Sequence, residues 1–221
     1  MTEDLYQTAG YGAREVGFGA RPAVLVVDFQ NAVTRPEAPM GKSELVASAV
    51  VETAKLLDVA RDVGIPIIFC ATYFRTDRAD MLPWKITAMD AWLEGSWEAE
   101  VDSRLWRDGD FLVCKKAPSI FFATPVTSIL NQYGVDTTIL TGANTSGCIR
   151  ASTVDSFSHG YRTILPRECI ADQALGPHEA NLHDVGIRYA DVVPIARVID
   201  YLRGLGVSDG STGQVMVARS R

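Results

Sequence analysis

The stretch that decides the fold of this chain is Thr138-Ile139-Leu140-Thr141-Gly142-Ala143-Asn144-Thr145-Ser146-Gly147-Cys148-Ile149-Arg150-Ala151-Ser152-Thr153. Its first residues are β-branched or aliphatic, which predicts a short buried strand. A polar turn follows, in which Gly142 and Gly147 permit backbone shapes and close approaches that a Cβ atom would block. Apolar residues after the turn predict a helix, and Gly160 is placed to end it. The segment therefore predicts a strand, a tight turn and a helix in succession.

Cys148 is predicted to open that helix. The first turn of a helix carries unpaired backbone N–H groups and the positive end of the dipole, and both favour a thiolate over a thiol. The same N–H groups can hold a developing oxyanion. The alternative is a small buried apolar residue, which is the commoner fate of a cysteine. The position of Cys148 directly after the glycine-containing turn favours a nucleophile.

Composition limits the classes of function. The chain has 221 residues, of which 47% are hydrophobic, so one domain over residues 1–221 is expected. The net charge is −6 with scattered Lys and Arg, which predicts no nucleic-acid partner. There is no apolar run long enough for a membrane and no apolar stretch of a secretory signal at the N-terminus. The four cysteines lie far apart without a C-x-x-C pair, which predicts reduced thiols in the cytoplasm.

Apolar runs and helical periodicity alternate along the rest of the chain. They predict strands near residues 23–27, 66–71, 110–114, 137–140, 161–165 and 190–193, and helices near 43–63, 124–133, 148–160, 178–187 and 196–205. The fold class is therefore α/β: a three-layer sandwich with a Rossmann-like, six-stranded, mostly parallel sheet and helices on both faces.

Four further segments are assigned without regular structure. Residues 1–21 are predicted to form an N-terminal arm on the body or on a neighbouring subunit, and residues 206–221 a frayed tail. Residues 31–41 are predicted to be a loop over the site. Residues 73–109 form a long excursion with four tryptophans, which is typical of a functional cover or an interface.

Two more residues stand at the carboxyl ends of predicted strands. Asp28 follows the first strand and Lys115 follows the third, while Cys148 lies just beyond the fourth. Each has an ordinary alternative: Asp28 can be a turn residue, and a lysine at a strand end is most often a solvated charge. Together they form a nucleophile, a proton acceptor and a cation at one edge of the sheet, which indicates a catalytic site.

Three motifs resemble those of the isochorismatase-like cysteine hydrolases. They are RPAVLVVDF at 21–29, DFLVCKKAPSIFF at 110–122 and TGANTSGCIRAS at 141–152, and the resemblance extends from about residue 17 to 205. The segments GFGARP at 17–22 and IAD at 170–172 are similar to the branch of N-carbamoylsarcosine amidase, maleamate amidase and biuret hydrolase.

The resemblance implies a Cys–Asp–Lys triad. Asp28 matches the base, Lys115 the lysine and Cys148 the nucleophile; Lys116 competes for the lysine role, but the spacing to the following serine favours Lys115. The Ala143–Asn144 bond matches a non-proline cis peptide of the family, which implies an oxyanion hole from the N–H groups of Asn144 and Cys148. The implied reaction is hydrolysis of an amide or ureido C–N bond through a thioester, with release of ammonia.

Substrate binding is assigned to Gln173, Arg75, Phe29 and Lys116. In the carbamoylsarcosine branch an arginine that binds the substrate carboxylate occupies the position of Gln173. Glutamine offers no charge, which favours biuret or another neutral amide unless Arg75 or Lys116 supplies the cation.

No cofactor and no metal are expected. The segment 72–78 lacks the histidines of metal-dependent nicotinamidases of this fold, and His178 and His183 are poorly spaced for shared ligation.

The expected partner is a small amide or ureido substrate, and the chain is expected to form a homo-oligomer, a dimer or tetramer. The alternative function is a non-catalytic member of the fold that binds a small ligand; a dinucleotide site is disfavoured because no G-x-G-x-x-G follows the first strand.

Overall fold

A computed structural model describes residues 5–208 of the chain. Its strands are β1 (Pro22–Val27), β2 (Ile67–Thr72), β3 (Phe111–Lys115), β4 (Thr137–Ala143), β5 (Arg162–Pro166), β6 (Ile170–Ala171) and β7 (Asp191–Val193). Its α-helices are α1 (Leu5–Thr8), α2 (Asn31–Thr34), α3 (Glu44–Asp62), α4 (Val126–Gln132), α5 (Arg150–Ser158), α6 (Leu175–Gly186) and α7 (Ile195–Ser208).

The strands form one parallel sheet in the order β3-β2-β1-β4-β5-β7, with β6 paired to β4. This confirms the predicted fold class and all six predicted strands. The two-residue β6 was not predicted. Because the chain runs from β1 outward to β3 and then crosses back to β4, the strand order reverses between β1 and β4. Ligands bind at the carboxyl ends of the strands at such a point in open α/β sheets.

The core lies on both faces of the sheet, as a buried parallel sheet requires. Strand β1 shows the arrangement: Val24 and Val26 pack toward α3 and α7, while Ala23, Leu25 and Val27 pack toward α4 and α6. All five side chains are fully buried. The three layers follow directly from this two-sided burial.

Helix boundaries differ from the prediction where local chemistry intervenes. The N-terminus of α3 is capped by Ser43, whose Oγ accepts from the N–H of Val46. Helix α6 begins at Leu175, before the predicted residue 178, because Pro177 is tolerated in a first turn. The loop predicted at 31–41 contains the buried helix α2 and a 3-10 turn at Pro39–Lys42.

The described part of the N-terminal arm lies on the body of the same chain. The N–H groups of Val16 and Gly17 donate to the Asp191 carboxylate, and the Phe18 ring stacks on Tyr201 with centroids 4.3 Å apart. Residues 206–208 of the predicted tail continue α7, and residues 1–4 and 209–221 lie outside the described residues.

Candidate active site

Asp28, Lys115 and Cys148 come together at the carboxyl edge of the sheet. Lys115 Nζ lies 2.8 Å from Asp28 Oδ2 and 3.2 Å from Cys148 Sγ. Asp28 directly follows β1 with φ of 55°, a left-handed conformation that aspartate tolerates better than most residues. Thr72, the last residue of β2, donates its hydroxyl to Asp28 Oδ1 at 3.0 Å. Three neighbouring strands thus each contribute a polar side chain beside the cysteine.

The Lys115 ammonium is the centre of this group. Besides Asp28 and Cys148 it meets Thr72 Oγ1 at 2.7 Å and the carbonyl of Ala117 at 3.2 Å. An ammonium has three protons, so four acceptors already saturate it. The side chain is 1% exposed, which makes it a buried and fully committed charge.

The protonation states follow from burial and from these neighbours. Burial and the Asp28 carboxylate raise the pKa of the Cys148 thiol to about 12, although Lys115 acts in the opposite direction. Burial alone would lower the pKa of Lys115, but Asp28 and the nearby thiols raise it above its usual value. The resting site therefore holds a neutral thiol beside an ammonium–carboxylate pair. Desolvation and the carboxylate outweigh the lysine, so the thiolate that a helix start favours is not the resting form.

Cys148 sits in a π-helical turn, Thr145–Ile149, that precedes α5. Side chains of neighbouring elements hold this turn. The buried Asp172 carboxylate accepts from the N–H of Ser146 at 2.7 Å, and Thr145 Oγ1 pairs with His178 Nδ1 at 2.7 Å. Burial lowers the pKa of His178, so it is neutral at pH 7. The turn that carries Cys148 is therefore held by α6 and by the segment after β6.

The approach to the turn is equally constrained. The peptide bond between Ala143 and Asn144 is cis. Gly142 has φ of 121°, and a Cβ atom there would lie 2.0 Å from the carbonyl oxygen of Val27. Gly147 has open space around it, so of the two glycines only Gly142 is required by a close backbone approach.

A narrow enclosed cavity opens onto the cysteine. Its volume is about 80 Å³, and its wall consists of Asp28, Val33, Met40, Thr72, Trp84, Ile86, Met89, Trp92, Pro118, Ala143, Asn144, Gly147 and Cys148. One water needs at least about 10–15 Å³ of such space, so this cavity has room for a small group of atoms. Segments 31–41 and 73–109 both supply wall residues, so both cover the site.

A family model described as the isochorismatase domain matches residues 22–197. The chain belongs to the isochorismatase family. The resemblance of the three motifs is thereby confirmed.

Two relatives of this isochorismatase-family chain are amidohydrolases by name. Maleamate amidohydrolase of Pseudomonas putida is 40% identical over 206 residues, covering 91% of this chain and 95% of that protein. N-carbamoylsarcosine amidase of an Arthrobacter species is 31% identical over 209 residues, covering 91% of this chain and 78% of that protein. A cysteine hydrolase structure from Pseudomonas syringae pv. phaseolicola superposes with a TM-score of 0.79 at 22% identity, covering 87% and 97% of the two chains, which shows a shared fold.

None of the four residues assigned to substrate binding belongs to the cavity wall. Gln173 is exposed and donates to Asn144 Oδ1 at 3.1 Å, so it meets a wall residue from outside. Arg75 is held by Asp77 in a bidentate ion pair. Lys116 pairs with Asp80 at 2.9 Å, and Phe29 is buried in the core. Their roles in binding stay predictions.

Sequence reasoning missed Thr72, Asp172 and His178 as supporting residues of the site. The role of Thr72 could have been predicted from the sequence, because Thr72 stands at the end of an apolar run, as Asp28 does. Nothing in the sequence links Asp172 or His178 to the π turn, because their contacts with it join residues 26 and 33 positions apart.

Two further observations concern the described residues alone. Between residues 5 and 208, no three histidine, cysteine, aspartate or glutamate side chains are grouped in a way that could hold a metal ion. Within the same range, every helix is too short or too polar to span a bilayer. The absence of a metal requirement stays a prediction.

Proposed function

We propose that this protein is a cysteine-dependent amidohydrolase that cleaves the C–N bond of a small linear amide or ureido compound and releases ammonia. The observation that carries the proposal is the Asp28–Lys115–Cys148 group at the end of an enclosed cavity of about 80 Å³. The two amidohydrolase relatives support the same class of reaction.

The first half-reaction forms a thioester. Asp28 takes the thiol proton as Cys148 Sγ attacks the carbonyl carbon, so the thiolate exists only while it reacts. The fixed Lys115 ammonium stabilises the developing sulfur anion at 3.2 Å. The N–H groups of Asn144 and Cys148 are the proposed donors to the carbonyl oxyanion. The tetrahedral intermediate collapses, Asp28 returns its proton to the leaving nitrogen, and ammonia departs.

The second half-reaction consumes water. Asp28, ionised again, accepts a proton from a water molecule that attacks the thioester carbonyl. The carbon–sulfur bond breaks and the Cys148 thiol regains its proton, which leaves the carboxylic acid product. Throughout this cycle Lys115 keeps its charge and orients Asp28, since a general base must stay within hydrogen-bond reach of the proton it moves.

The cavity narrows the choice of substrate. The small volume of the cavity favours compact compounds such as biuret and maleamate. The ammonium of Lys115, which contacts Cys148, is already saturated by protein acceptors. Gln173 favours neutral amides, whereas the relative with 40% identity is named for maleamate, so both kinds belong in the first substrate panel. All four cysteines are free, which fits a reducing compartment such as the cytoplasm.

The test is ammonia release from that panel by the wild-type protein and by two variants. Cys148→Ala and Cys148→Ser are expected to lose turnover by at least about 10³-fold while the melting temperature is kept, because the nucleophile is removed without disturbing the core. Cys114→Ala is the matched control, since Cys114 lies outside the cavity wall. Substantial ammonia release by Cys148→Ala would overturn the proposal.

Labelling distinguishes an enzyme from a binding protein of the same fold. We expect substrate-derived acyl mass on Cys148 when turnover is quenched in acid, because the thioester survives there. A protein that binds the amide but never acquires this mass and never releases ammonia would be the non-catalytic alternative.

A further inference from the structure

Gln30 follows Asp28 by two residues, and its side chain is completely buried beside the end of β2. Its Oε1 atom accepts from the N–H of Thr72 at 2.7 Å, and its Nε2 donates to the carbonyl of Thr72 at 3.0 Å. The second proton of Nε2 goes to the carbonyl of Glu98 at 2.9 Å. The amide therefore binds both backbone polar groups of Thr72 and uses both of its protons.

The sheet explains why Thr72 needs such a partner. Strand β1 ends at Val27, which stands in register with Cys70, and the chain then turns away at Asp28 with φ of 55°. Thr72 lies two residues beyond Cys70, where β1 no longer runs beside β2. The side-chain amide of Gln30 takes the place of a strand neighbour there, since it offers one acceptor and one donor as a backbone does.

The hydroxyl of Thr72 carries this contact into the active site. It donates to Asp28 Oδ1 at 3.0 Å and accepts from Lys115 Nζ at 2.7 Å. Because the hydroxyl has a single proton, these two bonds determine its orientation. Thr72 belongs to the wall of the cavity, whereas Gln30 lies behind it.

The third hydrogen bond of Gln30 joins this arrangement to the cover of the cavity. Glu98 belongs to the excursion at 73–109, and Gln30 also stands opposite Val101 of that segment in an antiparallel bridge. The amide of one buried residue thus connects the excursion with the strand end that bears Thr72.

We propose that Gln30 is a positioning residue, whose amide holds Thr72 so that its hydroxyl orients Asp28 and Lys115. The proposal rests on the proposed amidohydrolase function and adds to it a residue behind the cavity wall. Asp28 must accept the proton of Cys148, and a general base acts only within hydrogen-bond reach. A misplacement of about 1 Å can lower a rate about 10²-fold. Gln30 should therefore affect kcat and leave KM nearly unchanged.

The test is a double-mutant cycle of Gln30→Met and Thr72→Val, with ammonia release as the readout. Methionine replaces the amide by an apolar group of similar length, and valine replaces the hydroxyl by a methyl group. The matched control is Asn31→Leu, which removes an amide that donates to the Trp97 carbonyl of the same excursion at 3.0 Å. Gln30→Ala, which leaves space for water, takes the place of Gln30→Met if the methionine variant does not fold.

We expect Gln30→Met and Thr72→Val each to lower kcat about 10²-fold, with KM changed less than about twofold. Because Gln30 acts through Thr72, the double variant should lose little more than either single variant, whereas independent effects would multiply to about 10⁴-fold. Asn31→Leu should keep kcat within about threefold. Multiplying losses, an unchanged kcat in Gln30→Met or an equal loss in Asn31→Leu would overturn the proposal.

Amide hydrogen exchange followed by NMR separates this proposal from the proposed function, because it needs no substrate. In Gln30→Met the N–H of Thr72 loses its acceptor, so its exchange should become at least about tenfold faster while exchange in β1 stays unchanged. Unchanged exchange at Thr72, or acceleration there only together with β1, would overturn the proposal. If the wild-type protein hydrolyses none of a wide amide panel, the proposed function fails, and exchange at Thr72 alone decides whether Gln30 holds this strand end.

Discussion

A buried ammonium requires an anion beside it, and Lys115 has two groups that can serve. In the resting site the Asp28 carboxylate carries the negative charge and the Cys148 thiol is neutral. Taking an isolated charge out of water is far more costly than burying a pair, so the group holds one ammonium and one anion in total. In the proposed mechanism, the proton moves to Asp28 during attack and the negative charge moves to sulfur. The proposed reaction therefore exchanges the anionic partner of Lys115 without changing the net charge of the group.

This charge balance predicts opposite effects of Asp28→Asn on two reactions of the same cysteine. Amide hydrolysis should fall by about 10²–10⁴-fold, the usual contribution of a general base. Alkylation of Cys148 by iodoacetamide at neutral pH should become faster, because the pKa of the thiol falls once the carboxylate is gone and Lys115 needs a new anion. The measurements are ammonia release and the alkylation rate followed by mass spectrometry.

The pH dependence of the same reaction provides a control. In the wild-type protein the pKa of Cys148 is about 12, so alkylation should accelerate steadily as pH rises from 6 to 9. In Asp28→Asn one of the two causes that raise the pKa of the thiol is removed, so alkylation should be faster than in the wild-type protein at each pH in that range. Slower alkylation in the variant would contradict the assignment of the resting charge to Asp28.

At the residue scale, the sequence predicts the positions of the site residues but not their chemical state. The proximity of Asp28, Lys115 and Cys148 was predictable, because each follows an apolar run that predicts a buried strand. The state of the thiol was not, because it depends on a carboxylate and a lysine that are 120 and 33 positions away in the chain. The contact of Gln30 with Thr72 was not predictable either, because the two residues are 42 positions apart in the chain.

At the scale of elements, the close pairing of β1 and β4 is what brings Asp28 next to the cysteine turn. Val27 of β1 stands in register with Gly142 of β4. Any side chain at Gly142 would meet the Val27 carbonyl oxygen at 2.0 Å, and the φ of 121° is unfavourable for an L-residue. The glycine therefore sets the distance between the two strands at the point where both reach the site.

Gly142→Ala is accordingly expected to destabilise the protein by about 2–5 kcal/mol, because it combines backbone strain with overpacking. Activity should fall in the fraction that remains folded. Gly147→Ala, five residues later, has open space and should change the free energy of unfolding by less than about 0.5 kcal/mol. Urea titration of both variants checks this, and equal stability of the two would refute the close-packing argument.

The elements that the sequence did not predict are short, so few residues carry a pattern that would indicate them. Strand β6 has two residues, and the π turn at Thr145–Ile149 interrupts what periodicity presents as one helix. Helix α2 has four residues and is held by its surroundings, for example by Asn31 donating to the Trp97 carbonyl. Short elements depend on tertiary contacts more than on propensity, whereas the long apolar strands and α3 carry their own pattern.

At the scale of the whole molecule, the excursion at 73–109 has two sides. Its inner side covers the cavity with Trp84 and Trp92, while Trp106 packs on Phe69 with ring centroids 5.4 Å apart. Its outer side exposes Leu82, Ile86 and Trp97, each more than 40% exposed. Exposed apolar side chains grouped in one segment favour association. The predicted oligomer therefore has a candidate contact surface in the outer side of this segment.

We expect light scattering at micromolar concentration to give twice or four times the chain mass of 24.0 kDa. Leu82→Glu should shift this mass toward the monomer, because a charge at a buried contact is unfavourable. Val51→Glu, on exposed α3 surface outside the segment, should leave the mass unchanged. A wild-type monomer would contradict the oligomer, and an unchanged mass for Leu82→Glu would move the contact elsewhere.

The central position of β1 has a consequence for the order in which the chain can fold during synthesis. Its two neighbours are β2, which ends at Thr72, and β4, which begins at Thr137. At about 5–20 residues per second, the ribosome needs roughly 3–13 s to make the segment between them. For that time one edge of a fully apolar strand has no partner, and such edges pair readily with other chains. Slower translation or loss of a chaperone should therefore lower the yield of this protein. The cause would be aggregation of the nascent chain and not a change in the stability of the finished fold.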